Sequence, residues 1–338
     1  MFTVILGIKI LFAFIIALLI TTYLVPLMIA VAHKLNILDV PNGTLKQHKA
    51  PTPYLGGVAL YVGFITAIAL TFPFANTMFI LLVGCTLLLF VGLIDDLIVL
   101  KPYQKLFGQM VAAFCFLKGG FYLKATFLSA ASSPLISLFW LFISFGWILS
   151  IINAFNLIDV MDGLATTTAL CAAGSFFICA LILDAPLVAL LLAAFIGALV
   201  GFLLFNKPPA KIYLGDAGAL FIGGFLAIVP FMISWGSSSA YGYLAPVAIL
   251  AIPLLEEGTL ILIRTWKKIP FYNGSPHHFS IFLRAKGWSP SKVLTFVTLF
   301  SLIIFPCSLL FTLGIISFCT FASLMFLLAL WWFLTVLR

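Results

Sequence analysis

TMFILLVGCTLLLFVGLIDD, Thr77 to Asp96, runs from residue 77 to residue 94 without a formal charge and then ends in two adjacent carboxylates. A stretch of that length and apolarity reads as a membrane-spanning helix, and the Asp95-Asp96 pair marks where the chain meets water again. The pattern recurs along the chain. Apolar segments of similar length occupy approximately residues 2–32, 54–75, 77–94, 106–123, 135–152, 163–184, 186–205, 214–235, 241–264, 293–312 and 314–337. Lipid admits only helices or closed barrels as spanning structures, and none of these segments alternates with period two. The expectation is therefore an all-α polytopic bundle of about eleven helices, forming one transmembrane domain over residues 1–338.

Composition excludes whole classes of function. Of 338 residues, 64% are hydrophobic and 8% charged, with 17 Lys and Arg against 9 Asp and Glu. A soluble enzyme, a disordered scaffold and a dedicated nucleic-acid binder are all ruled out by that balance. The 6 cysteines lie inside apolar segments, so no disulfide framework is implied, and no Cys/His cluster has zinc spacing. The run from Phe2 to Ala32 is too long for the apolar core of a signal peptide, so it reads as the first membrane helix.

Charge sets the orientation. Lys34, Lys46 and Lys49 follow the first helix, Lys101 and Lys105 the third, Lys207 and Lys211 the seventh, and Arg264, Lys267, Lys268, Arg284, Lys286 and Lys292 the ninth. All fall on one side, with Arg338, and the positive-inside rule makes that side cytoplasmic. The N-terminus is expected outside and the C-terminus inside. Asp39, Asp95, Asp96, Asp159, Asp162 and Asp216 gather on the same side, Glu256 and Glu257 lie within the ninth helix, and Asp184 alone falls opposite. Merely solvated acids would occupy both faces, so a shared cytoplasmic site is expected. A secondary transporter would instead place its acids near the bilayer midplane. Residues 265–292 form the longest polar stretch and are expected as a cytoplasmic loop over that site.

Four clusters carry chemistry. Asp95 and Asp96 repel one another unless a neighbouring divalent cation offsets the repulsion, and Lys105 nearby supplies a point charge for phosphate. Asn153, Asn156, Asp159 and Asp162 are spaced by three, which on a helix puts all four on one face. Asp216, after Gly215, opens the eighth helix, either as its N-cap or as a ligand to a metal-bridged phosphate. Asp and Asn oxygens favour Mg²⁺ or Mn²⁺ over zinc or copper. His277 and His278, flanked by Arg264 and Arg284, suit a cover that contacts phosphate oxygens.

In that order the motifs resemble the polyprenyl-phosphate N-acetylhexosamine-1-phosphate transferase superfamily, which includes phospho-MurNAc-pentapeptide translocase and bacterial GlcNAc-1-phosphate transferases. The likeness covers almost the whole chain: His48 to Gly57, Asp95-Asp96 with Lys105 and Gln109, Asn153 to Ala165, Gly215 to Gly218, and the His278 loop. It implies transfer of a sugar 1-phosphate, GlcNAc 1-phosphate above all, from a UDP-N-acetylhexosamine to undecaprenyl or another polyprenyl phosphate, with release of UMP. By the same resemblance Asn156 and Asp216 ligate Mg²⁺, with Asp95 and Asp96 beside it, Asp95 acting either as base or as metal and acceptor organiser. Lys105 and Arg264 meet phosphate, Asp159, Asn206 and Tyr213 form the nucleoside pocket, and His278 is the first histidine of an HxHH-type motif. The partners implied are the nucleotide sugar, the polyprenyl phosphate, the lipid bilayer and a second copy of the chain. Val160 stands where the family has glycine, and Ser280 and Ile281 stand where the later two histidines would be. The Lys101 to Lys105 linker is closer to the GlcNAc branch, whereas the ending of the His278 loop is closer to the translocase.

Overall fold

A computed structural model describes residues 2–39, 51–73, 76–123, 134–236, 241–270 and 275–337. The expectations placed on Lys46, His48, Lys49, Ala50, Asn273 and Gly274 lie outside the described residues. The fold is all-α. Its helices are α1 (Phe2–Lys34), α2 (Gly56–Thr71), α3 (Asn76–Ile98), α4 (Pro102–Lys118), α5 (Pro134–Ile158), α6 (Leu164–Ile182), α7 (Pro186–Asn206) and α8 (Gly215–Ile228), followed by α9 (Ala245–Ile249), α10 (Ala251–Trp266), α11 (Phe279–Ala285), α12 (Pro290–Thr312) and α13 (Phe318–Leu337). A short antiparallel bridge pairs Leu38 with Pro53 and Asp39 with Thr52.

Every apolar segment of the sequence is helical, but fewer helices qualify as spans than the eleven expected. Among the described residues 8 helices are long and apolar enough to cross a membrane, or 9 if α9 and α10, bent by 70° at their junction, count as one. The 16 residues of α2 rise only about 24 Å against a hydrocarbon core of about 30 Å. The 17-residue α4 begins before the apolar segment does: Pro102 takes the first helical position, where its missing N–H costs nothing, and Gln104 Oε1 accepts the Lys101 N–H at 2.9 Å. Lys105 thus lies inside the first turn of α4. One further expectation changes: the ninth segment is broken rather than continuous. Residues 265–292 contain the short helix α11.

α7 and α8 form the centre of the bundle, with 72% and 78% of their apolar windows buried, whereas α1 and α13 stand at its edge with 17% each. Phe64 of α2, Phe195 of α7 and Phe225 of α8 interlock there, with Phe195 and Phe225 centroids 4.4 Å apart and Phe64 and Phe225 5.1 Å apart. Lipid tails are as apolar as these rings, so close packing rather than exclusion of water holds the helices together. Small residues permit the closest approach. A methyl group built on Gly57 of α2 would lie 2.2 Å from the backbone nitrogen of Gly218 on α8.

That approach is reinforced by backbone pairing at one end of the bundle. Gly56 and Gly57 donate to the carbonyls of Tyr213 and Leu214 at 3.1 and 2.9 Å, and Tyr213 donates to Pro53 at 2.7 Å. The segment before α2 therefore clasps the segment before α8. The end of α3, the start of α4, the end of α5 and the start of α8 gather beside this clasp.

Candidate active site

Asp95, Asp96, Lys105, Asn156 and Asp216 come from four helices and meet directly. Lys105 Nζ lies 2.9 Å from Asp95 Oδ2, 2.9 Å from Asp216 Oδ2 and 3.0 Å from Asn156 Oδ1. Asn156 also donates its Nδ2 hydrogen to Asp216 Oδ1. Asp95 is fixed from behind: its Oδ1 accepts the Leu100 N–H at 2.6 Å, closing the α3–α4 turn in which Val99 is held at φ 49°. A β-branched residue in the left-handed region is strained, so this turn is defined by its surroundings rather than by local preference.

Asp96 does different work from its neighbour. Its two oxygens accept the backbone N–H groups of Asp216 and Ala217 at 2.8 and 3.1 Å, so it caps α8 from another helix. Gly215 makes this possible, because its φ of +71° suits glycine and a methyl group there would lie 2.6 Å from Asp96 Oδ2. The capping reading of Asp216 is thereby corrected. Asp216 lies one residue inside α8 and its side chain turns to Lys105 and Asn156 instead.

The Asn/Asp cluster divides because α5 ends at Ile158. Only Asn153 and Asn156 share its helical face; Asp159 and Asp162 belong to the turn into α6. Asn153 pairs with Gln109 of α4 at 2.9 and 3.3 Å, amide to amide. Asp162 Oδ2 accepts the Ala210 N–H at 2.9 Å, anchoring the segment between α7 and α8. Asn206 is buried, with Thr166 donating to its Oδ1 at 2.9 Å and its Nδ2 donating to the Ile212 carbonyl at 3.0 Å. Its amide therefore holds the approach to Tyr213. Val160 projects from the turn, exposed.

Asp159 and Tyr213 share an electrostatic neighbourhood. Burial, with the carboxylates of Asp216, Asp96 and Asp162 around it, holds the Asp159 carboxyl well above the usual range. Burial likewise raises the half-buried Tyr213 phenol, with Asp162, Asp39 and Asp159 adding to the effect and a hydrogen bond to Thr52 opposing it.

His278 and Arg264 belong to a second polar group, built on α10 and the segment after it. Buried Glu256 lies 2.7 Å through Oε1 from His278 Nδ1 and accepts the Phe279 N–H through Oε2 at 3.2 Å. Arg264 Nε donates to Ser275 Oγ at 3.0 Å. Sequence reasoning left Glu256 without a role, although an acid inside an apolar helix is itself a signal. Its neighbour Glu257 accepts from Ser150 Oγ of α5 at 2.5 Å.

Oxygens of Asp95, Asp216 and Asn156 thus converge on a single cationic atom. Such an oxygen-only, doubly anionic donor set fits a hard divalent cation. No group of three or more His, Cys, Asp or Glu converges in this way among the described residues. A cation held here would therefore take two carboxylates and an amide oxygen and fill the rest of its shell from water and substrate phosphate, the usual habit of Mg²⁺.

Comparison with known proteins supplies the family. Residues 78–234 match glycosyl transferase family 4, a segment that contains Asp95, Asp96, Lys105, Asn156, Asp159, Asn206, Tyr213 and Asp216. The chain is 29% identical over 286 residues to a Bacillus subtilis (strain 168) protein named probable undecaprenyl-phosphate N-acetylglucosaminyl 1-phosphate transferase, covering 83% of this chain and 79% of that one. It is 30% identical over 308 residues to a phospho-N-acetylmuramoyl-pentapeptide-transferase of Staphylococcus epidermidis, covering 83% of this chain and 92% of that one. The Staphylococcus haemolyticus enzyme of the same name is 32% identical over 307 residues, with the same two shares covered.

Proposed function

The chain belongs to glycosyl transferase family 4, and from that premise we propose that it transfers GlcNAc 1-phosphate from UDP-GlcNAc to undecaprenyl phosphate. UMP leaves, and the product is a lipid-linked pyrophosphoryl sugar. The protein is a multi-pass membrane transferase that joins a sugar phosphate to a polyprenyl phosphate. Its donor, its Mg²⁺ dependence and a site on the cytoplasmic face of the inner membrane are the finer parts of the proposal. The observation that carries them is Lys105 held among Asp95, Asp216 and Asn156 at one end of an apolar bundle, beside Asp159 and Tyr213.

The acceptor needs little activation, since a phosphate monoester already carries about −1.5 to −2 charge at pH 7. The harder task is to bring three phosphates together, which calls for fixed positive charge. Lys105 supplies it as an ammonium that exchanges carboxylate partners for pyrophosphate oxygens when the donor enters. Mg²⁺ bound by Asp216 and Asn156 would neutralise the donor diphosphate. Asp95, tethered through Oδ1 to Leu100, presents Oδ2 to the acceptor as base or organiser. Asp96, engaged with the first N–H groups of α8, acts by placing Asp216. Tyr213 stacks on uracil, with Asp159 in the same pocket and Asn206 holding the segment that carries the ring.

The staphylococcal relatives favour a second donor, UDP-MurNAc-pentapeptide. Purified protein supplied with undecaprenyl phosphate and each radiolabelled donor separates the two. Lipid-extractable label and UMP from UDP-GlcNAc are expected. Label from UDP-MurNAc-pentapeptide alone would reject the sugar, and label from neither would reject the reaction.

A further inference from the structure

We propose that Glu256 is the positioning residue for His278, setting both the proton on its ring and the place of its loop. The inference rests on the reading above, in which His278 faces phosphate. It begins from an imbalance: a carboxylate in an apolar helix is costly in lipid unless it has a partner, and Glu256 is buried. Its two oxygens are not engaged by the Lys105 group. They go instead to a single neighbouring turn, Oε1 to His278 Nδ1 at 2.7 Å and Oε2 to the Phe279 N–H at 3.2 Å.

Each contact has a chemical consequence. An ionised carboxylate only accepts, so Nδ1 is the nitrogen that carries hydrogen, and Nε2 is left as the nitrogen that can serve a substrate. The second contact fixes where α11 starts, since Phe279 is its first residue. Other pins hold the same segment. Arg264, on the same helix as Glu256, donates to Ser275 at 3.0 Å, and the Phe279 ring packs on Trp332 of α13 at 4.6 Å between centroids. The segment is therefore held at several points, and Glu256 also reaches the imidazole.

The neighbouring acid shows that this is not a general property of the helix. Glu257 turns to Ser150 and so ties α10 to α5. Two consecutive glutamates thus serve different elements, and the first reaches the segment that opens α11.

A double-mutant cycle tests the inference, using Glu256→Gln, His278→Ala and the pair in the full-length protein, with sugar-phosphate transfer and thermal unfolding both measured. Glu256→Gln is expected to lower kcat/KM about 10- to 100-fold, the usual effect of losing a partner that orients a site group. The fall should appear in the same parameter, kcat or KM, that His278→Ala changes. Once His278 is alanine, Glu256→Gln should cost less than about twofold more, because it acts through the ring. Equal losses in both backgrounds would overturn the proposal, as would a damaging His278→Ala beside a silent Glu256→Gln. A silent His278→Ala would instead strike the reading of His278 itself. Should Glu256→Gln fail to fold, Glu256→Asp, which keeps the charge but withdraws it by one methylene, is read through the same cycle with the same criteria.

Discussion

Asp96, near the end of α3, accepts the backbone N–H of Asp216 at 2.8 Å and so closes the start of a helix to which it does not belong. Asp95, one residue earlier, faces Lys105 instead. Two adjacent carboxylates are thereby separated into one that builds the site and one that takes part in it. Asp96→Ala should lower stability by about 0.5–2 kcal/mol, the cost of losing a helix cap, and activity should fall with it because Asp216 is no longer held. Asp95→Ala should lower activity with a smaller change in stability. Thermal unfolding and UMP release, measured side by side, check the contrast; equal loss of stability in the two variants would contradict it.

The clasp between α2 and α8 gives a purely steric expectation. A methyl group on Gly57 would fall 2.2 Å from a backbone nitrogen, which no side-chain rotation can relieve. Gly57→Ala should therefore destabilise by about 1–3 kcal/mol through overpacking, whereas Gly146→Ala, where a methyl group meets nothing within 4 Å, should be neutral. Unfolding midpoints in detergent measure both, and a neutral Gly57→Ala would mean that the two helices are not in register as described.

Much of this arrangement is legible in the sequence, and what is not has physical causes. Asp95, Asp96, Asn156 and Asp216 stand out because each interrupts or ends an apolar segment, where a polar group is costly without a purpose. Which of Asp95 and Asp96 faces Lys105 is not legible, since consecutive helical residues point about 100° apart and the rotation of α3 is set by its neighbours. The spacing of Asn153, Asn156, Asp159 and Asp162 suggests one helical face, but α5 stops at Ile158 and the last two residues enter a turn. Glu256 went unassigned because its partner follows 22 residues later, across the end of α10, a pairing that no periodicity encodes. The expected count of about eleven spans is not confirmed among the described residues, for a related reason. Apolarity identifies helices, but α2 is short and the α9–α10 pair bends, so length and composition cannot assign either as a simple span.

Tyr213 offers a binding test independent of the charged residues. Its ring can cover a base at low entropic cost, and its backbone is already fixed by Pro53 and Gly56, so replacing the side chain should leave the clasp intact. Tyr213→Ala should raise the KM for the UDP-sugar about 10-fold, equivalent to about 1.4 kcal/mol of lost binding, with kcat little changed. Tyr213→Phe should be mild. Steady-state kinetics with donor varied at saturating acceptor decides the matter, and a large fall in kcat at constant KM would argue against stacking.

Asp216 separates the roles of charge and shape most directly. Its carboxylate does not cap α8, because Asp96 takes that place, so Asp216→Asn should leave the fold almost undisturbed. What the change removes is one of the two negative charges around Lys105, and with it part of the attraction for a hard cation. If Mg²⁺ is held there, kcat should fall about 10²-fold or more, and the Mg²⁺ concentration for half-maximal activity should rise. The same substitution also loosens Lys105, so a second variant is needed to separate the effects. Lys105→Met removes the ammonium while keeping both carboxylates, and it should damage transfer without raising the Mg²⁺ requirement. UMP release across a Mg²⁺ titration for the two variants, at matched unfolding temperature, distinguishes them. A normal Mg²⁺ dependence in Asp216→Asn would place the cation elsewhere, on Asp95 and the substrate phosphates, and leave Asp216 as a partner of Lys105 alone.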